Sequence, residues 1–469
     1  MQKVFTDCYA LDKRCYEQYG LNEDILMEHA ARGMADYIRA HVKLGASVLI
    51  VCGSGNNGGD GMVLARQLHG EYAVSIHLPF GVKSPMARLQ LERARKVGVP
   101  ESEEVYEAEV IVDAIFGAGL SRMLDAPTQA LLHKLNAFDG LKLACDLPTG
   151  VGGDGQLMPL AFEADVTVTM GALKESLYLD ESKDTIGEIR CVDLGISRTM
   201  YEMPSDTYVL EPADLHLPSR LKTSTHKGSF GHAVLFCGEK EGAGIIAATA
   251  ASRFGAGLTT LVVHEHLSPP PFLMHATVVP SNASALAIGM GLGGHFEREF
   301  LERYVVGSHL PVVLDADAFH SELLLQILTQ KEREVVITPH PKEFCAMWER
   351  LTGEKLDVDA VQQHRFEIVR RFNEKYPHVT LLLKGATMLI MQEERLYINP
   401  LGSAKLSKGG SGDVLSGLIV ALLAQGYTGI DAAIQGSLAL TAAAKRYRGA
   451  SYTMLPTDLI EEVARLEAI

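Results

Sequence analysis

The chain has 469 residues, of which 47% are hydrophobic and 22% are charged. This ordinary globular composition excludes a fibre and a largely disordered protein, and the length suits two large α/β units or about three smaller domains. The 58 acidic and 43 basic residues give a net charge of -15, which argues against electrostatic binding of nucleic acid or of an anionic membrane over a large surface. Any phosphate-bearing ligand must therefore be held locally.

Cysteine usage and apolar patterning indicate a cytoplasmic protein. The seven cysteines form no CxxC pair and no regular spacing, so neither a disulfide framework nor a zinc ribbon is expected. The longest apolar stretch, near Val414 to Ala424, is far shorter than the roughly 20 residues of a membrane span. We expect no export signal and no membrane anchor.

The predicted elements of the first part of the chain alternate between helix and strand. From Thr6 to Val42, apolar residues recur at helical spacing. Strand-like apolar runs follow at 47–52, 73–78, 110–113, 141–146 and 164–170, with helical stretches between them. This alternation predicts a parallel sheet covered by helices.

The pattern breaks between Leu194 and Gly228, where three prolines occur without a sustained period. Beyond this linker the alternation resumes, with strands predicted at 233–237, 258–263, 311–315, 335–338 and 379–383. Helical stretches are predicted from Asp413 onward. We therefore expect two α/β domains, at 1–204 and 205–469.

A glycine-rich loop, Gly53 to Gly61, separates the first predicted strand from a helical stretch at 62–68 and satisfies GxGxxG. Such a loop lets the backbone approach a pyrophosphate at a helix N-terminus. The next predicted strand ends in the residues HLPF, without the carboxylate that binds a ribose in redox enzymes of this type. An ordinary NAD-dependent oxidoreductase is therefore disfavoured.

Side chains with hard oxygen atoms accompany these glycines. Asn57 lies in the loop, Asp113 and Asp146 each end a predicted strand, and Thr149 follows shortly after the second. The carboxyl ends of parallel strands meet at one edge of a sheet, so Asn57, Asp113 and Thr149 can surround one cation. The alternative is that the two aspartates only cap turns and that Asn56 only tolerates a left-handed backbone.

These segments, with their GxGNNGGDG, DxxxGxG and DxP[ST]G motifs, resemble the N-terminal domain of the YjeF family, the NAD(P)H-hydrate epimerases. The resemblance covers about residues 6–195 and implies a Rossmann-like three-layer domain that interconverts R and S hydrates at C6 of the nicotinamide. It implies a potassium ion (K+) bound by Asn57, Asp113 and Thr149, and proton transfer by Asp146. The implied substrate contacts are Asn56, Asn57, Gly58, Gly59, Asp60, Gly117, Ala118, Gly119, Leu120, Ser121, Arg122, Met123 and Asp146.

A second glycine-rich segment, Gly409 to Asp413, leads into an apolar helical run. A helix start there offers unpaired N–H groups at the positive end of the helix dipole, which suits phosphate oxygens. No Walker A string is present. Asp413 is either an N-terminal acid that stabilises the helix or a base that takes a proton from an attacking hydroxyl. The glycine density favours the base, because close approach of a backbone to an anion requires glycine.

Other polar residues occupy further strand ends of the second unit. Lys384 follows one predicted strand, His340 follows another, and Asp315 ends a third, while glycines recur at 289–294. Each also has a simpler interpretation, as a solvated lysine, an ordinary histidine or a turn residue.

In chain order, the motifs HKG, GAGL, LDAD, TPHPKEF, KGAT and GGSGD resemble the C-terminal domain of the same bifunctional family, the ADP-dependent (S)-NAD(P)H-hydrate dehydratase. The resemblance covers about residues 226–469 and implies a ribokinase-like α/β fold that phosphorylates the hydrate from ADP and then eliminates phosphate. ADP as co-substrate, Mg2+ and a homo-oligomer are implied with it. The implied hydrate contacts are Ala256, Gly291 or Gly293, His340 and Asp413. The implied nucleotide contacts are Lys384, Gly385, Ala386, Thr387, Met388, Gly410, Ser411 and Gly412.

Two other classes of function stay open at this point. The second unit is also compatible with a small-molecule kinase that uses ATP as its donor. The first unit is also compatible with a ligand-binding or scaffolding module that has no catalytic activity, although its retention of Asn57, Asp60, Asp113 and Asp146 argues against this.

Overall fold

The computed structural model describes residues 1–120, 122–264 and 268–467. The chain divides into two compact units, one of Lys3–Ser205 and one of Met1–Gln2 with the residues from Asp206 onward. Each unit contains a largely parallel sheet with helices packed on it. The predicted α/β class is confirmed.

The first unit is built on a parallel sheet. The strands of the unit, seven of which form this sheet, are β1 (Gln2–Phe5), β2 (Ser47–Cys52), β3 (Ala73–His77), β4 (Glu101–Ser102), β5 (Val110–Ala114), β6 (Leu141–Cys145), β7 (Val166–Met170), β8 (Leu173–Lys174) and β9 (Glu188–Val192). Its helices are α1 (Tyr9–Gln18), α2 (Glu23–His41), α3 (Asn56–Leu68), α4 (Pro85–Val97), α5 (Ala126–Ala137), α6 (Lys183–Ile186) and α7 (Arg198–Tyr201). The sheet has the order β4-β3-β2-β5-β6-β7-β9, with neighbours parallel, and β1 pairs with β8.

Helices cover both faces of this sheet. Val48 and Ile50 of β2 face a core shared with α2, α3 and α4, whereas Leu49 and Val51 face a core shared with α5. Successive residues of a strand point to opposite faces, so a strand covered on both sides must be apolar throughout. The run SVLIVC meets that requirement. The three-layer arrangement expected of this unit is confirmed.

The first glycine-rich segment is helical earlier than the pattern predicts. Helix α3 begins at Asn56, inside the segment, rather than near Met62. A Cβ on Gly53 would lie 1.9 Å from the carbonyl oxygen of Ile115, and one on Gly58 would lie 2.0 Å from that of Gly53. The glycines are therefore needed where the helix start packs against the ends of two strands.

The second unit has a longer, mostly parallel sheet. Its strands are β10 (Thr207–Val209), β11 (His232–Phe236), β12 (Leu258–Val262), β13 (Met274–Ala276), β14 (Ala285–Ile288), β15 (Val312–Leu314), β16 (Val335–Ile337), β17 (Val379–Leu383), β18 (Met388–Gln392) and β19 (Arg395–Asn399). Its helices are α8 (Glu241–Arg253), α9 (Arg298–Leu301), α10 (Leu324–Leu328), α11 (Pro341–Thr352), α12 (Val358–Gln363), α13 (Arg365–Lys375), α14 (Ser411–Ala424), α15 (Gly429–Arg446) and α16 (Pro456–Ala464).

The strands of this unit follow the order β13-β12-β11-β14-β15-β16-β17-β18-β19-β10. Only β18 runs antiparallel to its neighbours, β17 and β19, among the strands that the structure describes. Four residues, 384–387, join β17 to β18, which is too few for a parallel crossover. The strict strand–helix alternation predicted from the sequence is therefore interrupted here by a hairpin.

Helix α14 lies in the core of the second unit. Its residues from Val414 to Ala424 are buried, and it packs against α8, α15 and β14. A helix that is apolar on all sides is expected in such a position. Within residues 1–120, 122–264 and 268–467, no helix combines the length and the apolar character that crossing a membrane would require.

Candidate active sites

The first unit has a cavity of about 500 Å³ at the edge of the sheet where β2, β5 and β6 end. The segments that follow these strands form its wall, together with part of the N-terminal region and Lys174. Of the predicted contacts, the wall contains Asn56, Asn57, Asp60, Gly117, Ala118, Gly119, Leu120 and Asp146. The expectation that these strand ends converge is therefore met.

Other predicted contacts of this unit lie elsewhere. Gly58 and Gly59 are buried within the packing of α3, where a Cβ on Gly59 would meet the side chain of Met27 at 2.9 Å. Arg122 and Met123 do not contribute to the cavity wall. Ser121 lies outside the described residues.

Asp146 forms a buried ion pair in the cavity. Its Oδ1 lies 2.6 Å from Nζ of Lys174, whose side chain is only 4% exposed. Burial alone would raise the pKa of Asp146, but the ammonium group of Lys174 and backbone N–H groups outweigh burial and lower that pKa below its usual value. Burial likewise opposes the charge of Lys174, yet Asp146 raises the lysine pKa. Both groups are therefore ionised at neutral pH.

The backbone of Asp146 is strained. Its φ of 71° lies in the left-handed region, which residues other than glycine seldom adopt. Its N–H donates to the carbonyl oxygen of Val168 at 2.8 Å, and its Oδ2 accepts a hydrogen bond from the N–H of Ala118 at 3.3 Å. Such strain persists where surrounding contacts hold it, and it is concentrated at functional sites.

Two further acids line the same cavity and hold their protons more tightly. Burial, and then the charge of Asp146, raises the pKa of Asp60 well above its usual value. Burial also raises the pKa of Asp12, even though the hydroxyl of Tyr201 donates a hydrogen bond to its Oδ1 at 2.7 Å. The cavity thus combines an ionised carboxylate with acids biased toward the neutral form, as proton transfer requires.

The predicted cation ligands occupy the adjoining strand ends. Asp113 is completely buried, and Thr149 donates to it from its N–H at 2.6 Å and from its hydroxyl at 2.8 Å. Burial raises the pKa of Asp113 to about 6 despite these hydrogen bonds. Asn57 has a buried amide nitrogen without a hydrogen-bond partner among the described residues. The carboxylate of Asp113, the hydroxyl of Thr149 and the amide oxygen of Asn57 match a hard cation chemically, whereas the unpartnered amide nitrogen is a donor and would need a different partner.

In the second unit, helix α14 begins at the second glycine-rich segment. Gly410 caps it with a φ of 96°, and a Cβ there would lie 2.4 Å from Pro456. Gly409 faces open space, and a Cβ on Gly412 would lie 3.4 Å from Nζ of Lys384. Gly410 is thus required by its backbone and by packing, whereas Gly409 and Gly412 leave the helix start accessible to a ligand.

Lys384 reaches this helix start from the end of β17. Its Nζ lies 2.7 Å from Oδ1 of Asp315 and 3.7 Å from Oε2 of Glu343. The hydroxyl of Ser416 donates to the other oxygen of Asp315 at 2.8 Å. Burial would lower the pKa of Lys384, but Asp315 and Glu343 raise it. The result is a fixed ammonium group beside the N-terminus of α14.

Asp413 lies in the first turn of α14, near this ammonium group. Burial and then the charge of Asp315 raise its pKa to about 6, against the opposing effect of Lys384. Its first-turn position also lets its charge interact favourably with the helix dipole, so the two roles are compatible. A carboxyl group with this pKa is ionised at neutral pH and still basic enough to accept a proton.

The predicted hydrate contacts of this unit are divided between the two edges of the sheet. His340 caps α11, accepting through Nδ1 from the N–H of Glu343 at 3.2 Å. Gly291 and Gly293 follow β14 at the same edge, and the N–H of Gly293 donates to Asp317 at 3.0 Å. Ala256 instead precedes β12, at the opposite edge. Its contact with the hydrate stays a prediction.

The predicted nucleotide segment is the turn of residues 384–387 between β17 and β18. Thr387 is 1% exposed, and Met388 already belongs to β18. The side chain of Met388 packs in the hydrophobic core of the unit. A contact between Met388 and the nucleotide would therefore involve its backbone, and it stays a prediction.

Two family models match the chain. One, described as YjeF-related protein N-terminus, matches residues 23–176, and the other, described as NAD(P)H-hydrate dehydratase, matches residues 233–465. A bifunctional NAD(P)H-hydrate repair enzyme of Helicobacter pylori is 40% identical, covering 99% of this chain and 100% of that protein. The chain belongs to the bifunctional NAD(P)H-hydrate repair enzyme family.

Other relatives agree with this membership. A protein of the same name from Coxiella burnetii is 34% identical over 95% of both chains. An ADP/ATP-dependent NAD(P)H-hydrate dehydratase from Bacillus subtilis, crystallised with ATP and Mg2+, is 26% identical and covers 53% of this chain and 92% of its own, with a TM-score of 0.45. The full-length matches to the Helicobacter and Coxiella proteins confirm the resemblance drawn from the sequence motifs.

The motifs of this repair enzyme family did not lead to every charged residue of the first cavity. Lys174 was missed, although it follows the predicted strand 164–170 at the same edge of the sheet. The sequence feature that could have identified it is the position of a lysine just after a strand end. Asp12 comes from helix α1, and its sequence surroundings give no indication that it lines the cavity.

We expect the Asp146–Lys174 pair to be strongly coupled. Lys174→Met should lower the free energy of unfolding of the first unit by about 3 to 5 kcal/mol, because a buried carboxylate would lose its cation. Asp146→Asn should also lower the free energy of unfolding. The double variant should lower it by much less than the sum of the two single losses. Urea denaturation of the four full-length proteins measures this, and additive losses would contradict it.

Proposed function

We propose that the chain repairs hydrated NAD(P)H at two active sites. The first unit, at 1–204, epimerises R and S hydrates, and the second, at 205–469, converts the S hydrate to NAD(P)H with ADP as the phosphoryl donor. The observation that carries this proposal is that each unit places a carboxylate beside a buried lysine where parallel strands end, Asp146 with Lys174 and Asp413 near Lys384. Family membership supports both activities.

Dehydration requires a better leaving group than hydroxide. In the proposed reaction, Asp413 takes the proton of the C6 hydroxyl, and the oxygen then attacks the β-phosphorus of ADP while the bond to AMP breaks. The ring nitrogen supplies its electron pair as phosphate leaves C6, and loss of a proton from C5 restores the dihydropyridine. The products are NAD(P)H, AMP and phosphate.

The protein contributes position and local positive charge to this transfer. The amide N–H groups at the start of α14 and the ammonium group of Lys384 face the place where negative charge accumulates. Asp315 and Glu343 hold Lys384 there. This arrangement explains how a chain with a net charge of -15 can bind a diphosphate.

Epimerisation requires that C6 lose its configuration and regain it with the hydroxyl on the other face. Whether the C6–O bond or the ring opens, a base must remove a proton and an acid must return one. Asp146 is the proposed base, because Lys174 keeps it ionised. Asp60 is suited to return the proton, because burial and the charge of Asp146 raise its pKa and favour its protonated form in the same cavity.

Two cations belong to the proposal. Asn57, Asp113 and Thr149 would hold K+ beside the epimerase cavity, where it would offset the buried charge of Asp113. For the dehydratase, Mg2+ would arrive with the nucleotide and neutralise phosphate charge.

We also propose that the protein works in the cytoplasm as a homo-oligomer. All seven cysteines are free, as expected in a reducing compartment. The assembly rests on the family resemblance alone.

The two activities should be lost separately. With mixed R and S hydrates and ADP, the wild-type protein should consume both epimers. Asp146→Asn should consume only the S form beyond the uncatalysed rate, because the base of the first site is gone. With Asp413→Asn, both hydrate epimers should remain and should still be interconverted. Chromatography of the hydrates measures this. Consumption with ATP and not with ADP would instead favour an ATP-dependent kinase.

Dehydration should depend on pH through Asp413. Its pKa of about 6 means that the base becomes protonated as the pH falls through that value. We expect kcat to fall about tenfold per pH unit below pH 6 and to level off above pH 7. Steady-state rates at saturating ADP and S hydrate measure the profile. A flat profile between pH 5 and 8 would remove Asp413 from the role of base.

K+ should stabilise the first unit. The melting temperature of the wild-type protein should rise with the logarithm of the K+ concentration and respond much less to Li+, because binding to the folded state shifts the equilibrium. Asp113→Asn should remove this response, whereas Asp139→Asn, at an exposed position, should retain it. If K+ raised the melting temperature of all three proteins equally, the K+ site would be contradicted.

A further inference from the structure

A buried arginine lies against the turn of residues 384–387. Arg365, the first residue of α13, is 1% exposed. Its Nη2 donates hydrogen bonds to the carbonyl oxygens of Leu383 at 3.4 Å, Lys384 at 3.1 Å and Thr387 at 2.8 Å. A single guanidinium group therefore binds carbonyl groups at both ends of the turn.

These hydrogen bonds determine how the peptide groups of the turn are oriented. In a trans peptide, a carbonyl and the N–H that follows it point in opposite directions, and no cis peptide occurs among the described residues. Because the carbonyl of Lys384 points to Arg365, the N–H of Gly385 points away from the guanidinium. The N–H of Lys384 itself donates to the carbonyl of Pro339 at 2.9 Å. The N–H of Gly385 is thus directed outward from the arginine side of the turn.

Arginine suits this position better than lysine would. Its guanidinium is planar and carries five N–H groups, so it can serve several carbonyls and still reach a further partner. Here Nη1 also donates to Oε1 of Gln362 at 2.6 Å, which connects the turn to α12. The ammonium group of a lysine is a point charge on a flexible chain and does not impose the same geometry.

We propose that Arg365 is a positioning residue for the nucleotide of the dehydratase site. It holds the 384–387 turn so that the ammonium group of Lys384 and the N–H of Gly385 face the phosphates of ADP, and it contacts no substrate itself. This inference rests on the function proposed above for the second unit.

A second buried arginine provides a matched control. Arg333 is 4% exposed and donates to the carbonyl oxygens of Leu310 at 2.5 Å and Val305 at 2.8 Å. It precedes β16, at the amino edge of the sheet, and contacts no residue of the 384–387 turn. Its loss should therefore cost stability without disturbing the nucleotide site.

The test compares Arg365→Lys with Arg333→Lys in the full-length protein. We expect Arg365→Lys to raise the KM for ADP and the dissociation constant of ADP at least tenfold, while the KM for the S hydrate changes less than twofold and epimerisation is unaffected. Arg333→Lys should lower the melting temperature and leave the KM for ADP within twofold. A KM for ADP that is unchanged in Arg365→Lys, or raised equally in both variants, would overturn the inference.

A measurement on the wild-type protein keeps the inference testable if the variants do not fold. ADP should slow hydrogen exchange in a peptide that covers 384–387, and it should not do so at the exposed turn of Glu393 and Glu394. Absence of protection at 384–387 in a protein that binds ADP would overturn the role of Arg365 alone. A wild-type protein that neither binds ADP nor consumes the S hydrate would overturn the proposed function and this inference together.

Discussion

Both candidate sites depend on a buried lysine that pairs with a neighbouring carboxylate. Lys174 lies 2.6 Å from Asp146 in the first unit, and Lys384 lies 2.7 Å from Asp315 in the second. In the first unit, the ammonium group of Lys174 lowers the pKa of Asp146 against the opposing effect of burial. In each unit the charge of the paired carboxylate, after burial itself, raises the pKa of a further acid, Asp60 in the first and Asp413 in the second.

The same physical arrangement serves different chemistry in the two units. In the first, an ionised Asp146 shares one cavity with Asp60, whose raised pKa favours its protonated form, and this suits removal and return of a proton. In the second, Asp413 is itself the group near neutrality, and Lys384 lies where a phosphoryl group would carry charge. The turn of residues 384–387 must be held rigidly for this, because a small displacement of a charged donor costs much of its effect.

Much of the fold follows from apolar periodicity. The runs 47–52 and 379–383 coincide with β2 and β17, because strands covered on both faces must be apolar throughout. The short strands β13 and β18 were not predicted, since edge strands and hairpins carry a weaker pattern. The start of α3 was misplaced because its glycines suggest a loop, although they are needed for close packing.

The sequence by itself determined the family, the α/β class and the main acids, because glycine motifs and strand-end aspartates keep their spacing along the chain. Only the tertiary structure decided which charges meet. Lys174, Asp12 and Arg365 act across sheets and helices from distant positions, and their effect depends on distance and burial rather than on neighbours in sequence. The protonation states also depend on the tertiary structure, because a side chain is desolvated and placed beside an opposite charge only after the chain has packed.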